Sequence, residues 1–332
     1  MKKPCTLIDI AKACNTSNVT VSKALSGKSG VSSKLREKIK SVAEEMGYTS
    51  AKNSGMKKNH TVGVLIPEKF INPNGSFYWA LYNRIVQRLK KEGVYCIMEN
   101  LSQEDESNLV MPNFVIDKKI SGLISLGQVN DEYAHKLYEN IPQMLMLDYY
   151  VSGIQTDSII SNGYDGGYKL CSYLIEMGHK KIGYIGTKLA TMSIFDRYMG
   201  YLKAMIENGL PAPDCWVIDD RDESGRFIDL KFPDNMPTAF ICNCDETAYI
   251  AIKQLSENGF SVPEDISVVG YDNYLISEVS NPTITTIAVD AEYMADSAVG
   301  AIMERINNPD KLPRIQTLDG DLVIKNSVNK LT

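Results

Sequence analysis

The residues near the N-terminus whose types could do chemistry are Asn18, Val19 and Lys23. A carboxamide can bond to two atoms on the edge of an adenine, and a branched apolar side chain can touch a thymine methyl group. An ammonium group can reach the acceptors of guanine, though less directionally than an arginine. Each of these residues, taken alone, is almost as well interpreted as an ordinary solvated surface residue. Their role therefore depends on the helices that carry them.

Two short helices are predicted around these residues. Thr6, with Asp9 three positions on, has the form of a capped helix start, and that helix continues to about Ala13. Residues 14–16 read as a tight turn, and residues 17–25 form the second helix. On that helix Val21, Ala24 and Leu25 face inward, while Asn18, Val19, Ser22 and Lys23 face outward.

A third helix is predicted to support the first two. Its apolar residues recur at helical spacing on one face, and they are Leu35, Ile39, Val42, Ala43 and Met46. Ser32 or Ser33 begins the helix, and Gly47 ends it. Two short helices joined by a tight turn and supported by a third predict a helix-turn-helix, whose second helix enters the major groove.

The distribution of charge also separates residues 1–60 from the rest of the chain. The 332 residues carry a net charge of −6, which alone argues against nucleic acid as a partner. Residues 1–60, however, hold 12 basic and 4 acidic residues, a charge of +8, while residues 61–332 hold 23 basic and 37 acidic residues, a charge of −14. A basic head on an acidic body is expected when only one end of a protein contacts phosphates.

Residues 6–48 closely resemble the headpiece of the lactose-repressor (LacI/GalR) family. The motifs that carry the resemblance are Thr6-Leu7-x-Asp9-Ile10-Ala11, the run from Val19 to Gly27, Val31-Ser32, Arg36-Glu37-Lys38-Ile39 and Met46-Gly47-Tyr48. The resemblance implies that major-groove positions are occupied by Ser17, Asn18, Val19, Ser22 and Lys23. It also implies that Thr6 and Leu7 contact phosphate at a helix start.

The segment after Tyr48 departs from the family pattern. In the family, a Pro-Asn pair and an Ala-Arg-x-Leu stretch form a short helix, whose leucine wedges into the minor groove. This chain has Lys57 at the leucine position and also Gly55, which lowers helix propensity by about 1 kcal/mol relative to alanine. Our hypothesis is that Met56 replaces the wedge. Alternatively there is no wedge, and binding relies on phosphate contacts.

From Thr61 onward, short apolar runs alternate with helical stretches, which predicts parallel α/β construction. The runs lie near residues 62–66, 94–98, 122–126 and 143–147, and again near 181–185, 216–218, 239–242 and 267–270. The similar spacing of the two sets predicts two similar lobes, with a ligand site at the carboxyl ends of the strands.

Further motifs extend the family resemblance over the body of the chain. They include Thr61 to Pro67, Met177 to Ile182, Arg197-x-x-Gly200-Tyr201, Pro237-Thr238-Ala239, Val262 to Asp272 and Thr285-Thr286-Ile287. The implied fold is an all-α helix-turn-helix headpiece plus an α/β, type I periplasmic-binding-protein-like effector domain of two doubly wound lobes. The implied boundaries are 1–49 for the DNA-binding domain, 50–60 for the hinge linker, 61–161 and 289–318 for the N-terminal effector lobe, and 162–288 and 319–327 for the C-terminal lobe.

The resemblance also implies an effector site. Asp148, Arg197 and Asp272 align with the family's polar ligand-binding groups, and the aromatic run Phe77-Tyr78-Trp79 follows the first strand. Carboxylates, a guanidinium and aromatic faces suit a sugar, although a helix-start aspartate or an ion pair between the lobes is the alternative. Cys244 stands where the family usually has asparagine, so one amide bond to the ligand is missing unless Asn243 compensates.

Other classes of protein are less well supported. The sequence has neither a G-x-G-x-x-G nor a G-x-x-x-x-G-K-[ST] motif and only three histidines, so we expect no enzyme and no cofactor. Cys242-Asn243-Cys244 lacks the further ligands of a zinc site, so no metal is expected. Without a secretory signal or a membrane-length apolar run, a cytoplasmic location is expected. The alternatives left are a solute-binding protein without a DNA role and a regulator with a non-sugar effector.

The expected partners are therefore double-stranded DNA, a small effector and a second copy of the chain, and no membrane. A homodimer would present two headpieces to a palindromic operator. Effector binding would change operator affinity by a coupling free energy of about 1–3 kcal/mol. The protein is expected to be a transcription regulator, more specifically a repressor.

Overall fold

The computed structural model describes residues 6–25, 30–46, 60–71 and 76–331. The chain divides into two compact units, Met1–His60 and Thr61–Thr332. No helix within the described ranges is both long enough and apolar enough to span a membrane.

The described part of the first unit folds as three helices, α1 (Leu7–Ala13), α2 (Asn18–Leu25) and α3 (Ser33–Glu45). Their contact faces are small and apolar. The buried side chains are Ile10, Ala11, Cys14, Val21, Ala24, Ile39 and Ala43. The three predicted helices and the inward positions Val21 and Ala24 are therefore confirmed, with Leu25 half-buried beside them.

The helix ends follow the local sequence. The Thr6 hydroxyl accepts the backbone N–H of Asp9, and the Asp9 carboxylate accepts the backbone N–H of Thr6 at 2.8 Å, which completes the predicted capping box. Of the two candidate serines before α3, Ser32 accepts the backbone N–H of Leu35 at 3.4 Å. Met46, which was predicted to share the apolar face of α3, lies one residue beyond the end of the helix and is 40% exposed.

The second unit alternates strands and helices. Its strands are β1 (Thr61–Pro67), β2 (Tyr95–Leu101), β3 (Gly122–Leu126), β4 (Met144–Leu147), β5 (Asp157–Ser161), β6 (Ile182–Ile185), β7 (Val217–Ile218), β8 (Ala239–Cys242), β9 (Ser267–Val269), β10 (Thr286–Ala288), β11 (Ile315–Leu318) and β12 (Asp321–Val323). Its helices are α4 (Phe77–Glu92), α5 (Gln103–Ser107), α6 (Asn113–Ile116), α7 (Asp131–Asn140), α8 (Gly163–Glu176), α9 (Met192–Glu207), α10 (Asp245–Glu257), α11 (Leu275–Val279) and α12 (Ala291–Asn307). All the apolar runs predicted as strands are strands, and β5, β10, β11 and β12 are additional.

Two parallel sheets define two lobes. The first sheet has the strand order β11-β5-β4-β3-β1-β2, and the second has the order β7-β6-β8-β9. Every neighbouring pair in both sheets is parallel, and β10 pairs with β12 as a separate antiparallel ribbon. The predicted two-lobed α/β fold is confirmed.

Each sheet is covered by helices on both faces, which explains its continuous apolar strands. In the first lobe, Val62 and Val64 pack with α4 and α12, while Leu65 packs with α6 and α7 on the other face. In the second lobe, Tyr184 packs with α8 and α9, and Ile185 packs with α10. Successive residues of one strand therefore stabilise two different layers.

The chain passes between the two lobes three times. It leaves the first sheet after β5, returns from β10 to α12, and passes from β11 to β12. A cleft between the lobes is lined by the residues at the carboxyl ends of strands in both sheets, including Pro67, Gln128, Asp148, Asn243 and Asp272. This is where the topology of open parallel sheets predicts a ligand.

Glycines bring α8 and α9 into direct backbone contact in the second lobe. A Cβ atom at Gly167 would overlap the carbonyl oxygen of Arg197, and one at Gly200 would overlap the carbonyl oxygen of Tyr164. Since neither obstacle is a flexible side chain, the helices would have to separate. The close approach therefore fixes the position of α9, and with it the backbone of Arg197.

Gly200→Ala should lower the free energy of unfolding by roughly 1–3 kcal/mol, because an added methyl group overpacks the contact between α8 and α9. The matched control is Gly300→Ala on α12, where a Cβ atom meets nothing within 4 Å. Since alanine favours helix by about 0.5–1 kcal/mol, this control should be neutral or stabilising. Urea unfolding followed by circular dichroism compares the two, and equal midpoints would contradict the packing argument.

Candidate functional site

The outward face of α2 carries the side chains that the sequence singled out. Ser17, Asn18, Ser22 and Lys23 are exposed, and Val19 keeps 64% of its surface exposed. Ser17 precedes the helix, and its hydroxyl accepts the backbone N–H of Thr20 at 3.1 Å. Because the opposite face of α2 is buried in the three-helix core, these residues form the solvent-facing side of the helix.

The start of α1 carries Thr6 and Leu7, which the sequence predicted to contact phosphate. The Thr6 hydroxyl and backbone N–H both donate to the Asp9 carboxylate, at 2.6 and 2.8 Å. Leu7 is half-buried, with its side chain packed against the headpiece core. Any phosphate contact by Leu7 would have to use its backbone. Met56, the predicted wedge, lies outside the described residues.

The cleft between the lobes of the second unit has a volume of about 740 Å³. Sites for small molecules commonly enclose about 300–1,000 Å³, so this cleft is large enough for a sugar-sized or larger ligand. Charged and aromatic side chains from both lobes line it. The lining residues include Tyr78 and Asp148 from the first lobe and Arg197, Cys244 and Asp272 from the second.

Arg197 is the central cation of the cleft. Its side chain is only 8% exposed, and its guanidinium carbon lies 3.8 Å from the centre of the Tyr271 ring. Nη1 donates to the carbonyl oxygen of Asn243, and Nη2 lies 3.6 Å from Asp272 Oδ1. Nε has no acceptor in the described part of the chain. Burial opposes the charge, but Asp272 and other neighbours outweigh it and raise the pKa of Arg197.

Two buried aspartates accompany this arginine, one from each lobe. Asp148 follows β4 with φ 71°, and Asp272 follows β9 with φ 105°, so both have left-handed backbone angles. Asp148 accepts the Tyr78 hydroxyl at 2.7 Å and the Ser161 hydroxyl at 3.3 Å. Burial raises the pKa of both carboxyl groups, to about 7 for Asp272, although Arg197 acts in the opposite direction.

The three aromatic residues at the start of α4 point to different sides of the helix. Tyr78 lines the cleft and stacks on Phe70, with ring centres 4.6 Å apart. Phe77 touches the cleft but is 9% exposed and belongs to the core beneath it. The prediction that Trp79 covers the ligand needs correction. Trp79 is 40% exposed outside the cleft lining, beside Tyr82, because successive residues of a helix point about 100° apart.

Two families match separate parts of the chain. Residues 6–50 match the bacterial regulatory proteins of the lacI family, and residues 171–328 match the periplasmic binding protein-like domain. The HTH-type transcriptional repressor PurR of Aliivibrio salmonicida (strain LFI1238) is 28% identical over 335 residues, which cover 98% of this chain and 99% of that protein. The chain carries a LacI-family DNA-binding domain and a periplasmic binding protein-like domain.

Solved structures of the LacI family share the fold. The lac repressor dimer bound to operator and the anti-inducer ONPF has a TM-score of 0.66 at 24% identity and covers 98% of this chain and 100% of that one. A LacI-family regulator from Enterococcus faecium with bound ribose has a TM-score of 0.68 at 22% identity and covers 82% of this chain and 100% of that one. The chain is thus a DNA-binding transcription regulator with a periplasmic-binding-like domain.

One residue of the cleft was missed in the sequence analysis. Arg221 lines it, and its guanidinium is paired with Asp220 at 2.9 Å. The pair lies in the irregular segment between β7 and β8, where apolar periodicity carries no signal. An adjacent acid and base just beyond the carboxyl end of a parallel strand could have indicated a ligand-facing position.

The structure also shows what Cys244 and Asn243 do. The Cys244 sulfur accepts the backbone N–H of Thr247 at 3.5 Å at the start of α10, and burial raises the pKa of its thiol to about 11. The Asn243 amide donates to Asp220 at 2.6 Å and is 1% exposed. The Asn243 amide is therefore engaged within the protein and does not replace the missing one.

Asp272→Asn should change how stability depends on pH. The pKa of Asp272 is raised on folding, so its carboxyl group favours the folded state at low pH, and that contribution is lost as pH rises from about 4 to about 7. The free energy of unfolding of the wild type should therefore fall relative to that of the variant over this range. Denaturant titrations at several pH values measure this difference, and parallel pH profiles would contradict the assignment.

Proposed function

We propose that this chain is a repressor whose affinity for operator DNA is set by a small molecule bound in the cleft. The proposal rests on the presence, in one chain, of an exposed face on α2 and a polar cleft between two lobes. The relatives named as repressors, which align over nearly the whole chain, support the direction of control.

We infer that the DNA contacts are made by Thr6, Leu7, Ser17, Asn18, Val19, Ser22 and Lys23, with Met56 as a wedge. The exposed outer face of α2 supports the base-reading part of this set. Asn18 has the geometry to bond an adenine edge, and Val19 the apolar surface to contact a thymine methyl group. The hinge of residues 50–60 would then join the DNA-binding domain to the effector lobes at the proposed boundaries.

The effector is proposed to be a sugar. Asp148, Arg197 and Asp272 offer acceptors and donors for adjacent hydroxyl groups, and the Tyr78 ring offers an apolar face. Phe77 and Cys244 complete the wall of the site. The ribose complex of a structure with the same fold supports this class of ligand.

A homodimer on a palindromic operator is the proposed active form. The lac repressor of similar fold is a dimer on its operator, and two symmetric headpieces would read two half-sites. An apolar surface on the second lobe is available for such contact. Leu275 and Val279 lie one turn apart on α11 and are 69% and 65% exposed, with Tyr249 on α10 also 40% exposed.

Selection from a random DNA library with the full chain should enrich an inverted repeat, and affinity for that repeat should fall steeply as salt rises. Lys23→Gln should then reduce discrimination between this repeat and random DNA at least fivefold, since a good base contact contributes about 1–3 kcal/mol. Fluorescence anisotropy with both DNAs measures the ratio.

The matched control is Lys40→Gln, which removes the same charge from an exposed position on α3. This control should weaken binding to both DNAs alike, if at all. A library that yields no enriched sequence, or equal loss of discrimination in both variants, would contradict the proposed role of α2.

A further inference from the structure

Arg221 is a second guanidinium in the cleft, and it is held in a fixed orientation. Its Nε and Nη2 donate to the two oxygens of Asp220 at 3.1 and 2.9 Å, in a two-pronged pair. Nη2 also donates to Asn243 Oδ1 at 3.3 Å, and the guanidinium lies 4.9 Å from the centre of the Phe227 ring. The side chain is 11% exposed, so it is built into the wall rather than free in solvent.

Asp220 is fully occupied by this arrangement. Besides Arg221, its carboxylate accepts the Thr187 backbone N–H at 2.9 Å, the Asn243 amide at 2.6 Å and the Thr247 hydroxyl at 2.7 Å. Burial opposes its ionisation, but these partners outweigh burial and lower the pKa of Asp220. Asp220 therefore positions Arg221 and has no oxygen left for a ligand, whereas Nη1 of Arg221 has no acceptor in the described part of the chain.

The inner cleft holds two cations, Arg197 and Arg221, and each has a carboxylate neighbour. Arg197 Nη2 lies 3.6 Å from Asp272 Oδ1, and Arg221 Nη2 lies 2.9 Å from Asp220 Oδ2. The group that Arg221 can still offer to a ligand is Nη1, which belongs to a guanidinium whose position Asp220 fixes.

Six further charged side chains lie along the cleft. They are Glu68, Lys69, Glu106, Glu223, Arg226 and Glu246. Glu68, Lys69, Glu223 and Arg226 are exposed and balanced in charge. Glu106 accepts the backbone N–H of Asn130 at 2.6 Å, and Glu246 accepts the Tyr274 hydroxyl at 3.5 Å.

We propose that the effector carries an anionic group, a carboxylate or a phosphate ester, and that Arg221 binds this group. The inference rests on the proposed function, because it assigns the ligand chemistry of the same cleft. The effector is then an acidic or phosphorylated sugar, with its hydroxyl groups at Asp148, Arg197 and Asp272 and its anion at Arg221. A planar fork held by Asp220 suits either anion.

Inorganic phosphate tests the anion site directly, whatever sugar carries the anion. Titration of the full chain, followed by phosphorus NMR, should show binding to the wild type that Arg221→Gln weakens at least tenfold. Because Arg221→Gln leaves Asp220 buried without its cation, Asp220→Asn/Arg221→Gln is the second variant and should show the same loss with the fold intact by circular dichroism. Lys231→Gln, an exposed position in the same segment, should change binding less than twofold.

Each other outcome overturns the inference. No phosphate binding to the wild type means that the cleft has no anion site. Equal binding to the wild type and both Arg221 variants means an adventitious ion only. The proposed function fails separately if the wild type selects no DNA sequence. When no anion is present, the Arg221 variants should bind the selected DNA as the wild type does.

Calorimetry with glucose, glucuronate and glucose 6-phosphate shows whether the anionic group is a carboxylate or a phosphate ester. At least one of the two anions should bind the wild type tenfold or more tightly than glucose, and Arg221→Gln should remove that preference. A preference for glucuronate indicates a carboxylate, and one for the ester indicates phosphate. Glucose binding that matches or exceeds both anions would overturn the inference while leaving a neutral sugar as effector.

Discussion

The burial of Arg197 between two lobes is the constraint on which the cleft depends. A guanidinium that is only 8% exposed must find counterions and acceptors, and it finds them on Asp272, the Asn243 carbonyl and the Tyr271 ring. Its backbone is fixed in turn, because the glycines of α8 and α9 let the two helices touch. The first lobe supplies Asp148 as a second negative neighbour, so aspartates from both lobes raise the pKa of Arg197.

Strain and burial are concentrated at the same two positions. Asp148 and Asp272 have φ of 71° and 105°, and such backbone angles cost on the order of 1–3 kcal/mol each. The carboxyl groups also have raised pKa values because they are buried. Strained and buried carboxyl groups of this kind, at the carboxyl ends of strands in both lobes, concentrate at functional sites.

Local signals in the sequence predicted the headpiece and most strands, while the cleft was predicted only in part. Thr6 with Asp9 and the buried face of Ile39 and Ala43 depend on neighbours a few positions away. Arg221 is held by its sequence neighbour Asp220, and Asp220 is held by Asn243 and Thr247, which the fold brings from a distant segment. The adjacent acid and base were visible in the sequence, but the contacts that fix them in the cleft were not. Trp79 was misplaced because a run of three aromatics does not show which one a helix turns toward the ligand.

The central claim is that occupation of the cleft around Arg197 controls DNA binding. The most direct measurement is the affinity of the full chain for its selected operator, with and without ribose, glucose, glucuronate and glucose 6-phosphate, for the wild type and Arg197→Gln. We expect at least one of these ligands to change the operator affinity of the wild type by about fivefold or more and to leave that of the variant unchanged. A ligand that shifts both affinities equally, or a panel that shifts neither, would contradict the account.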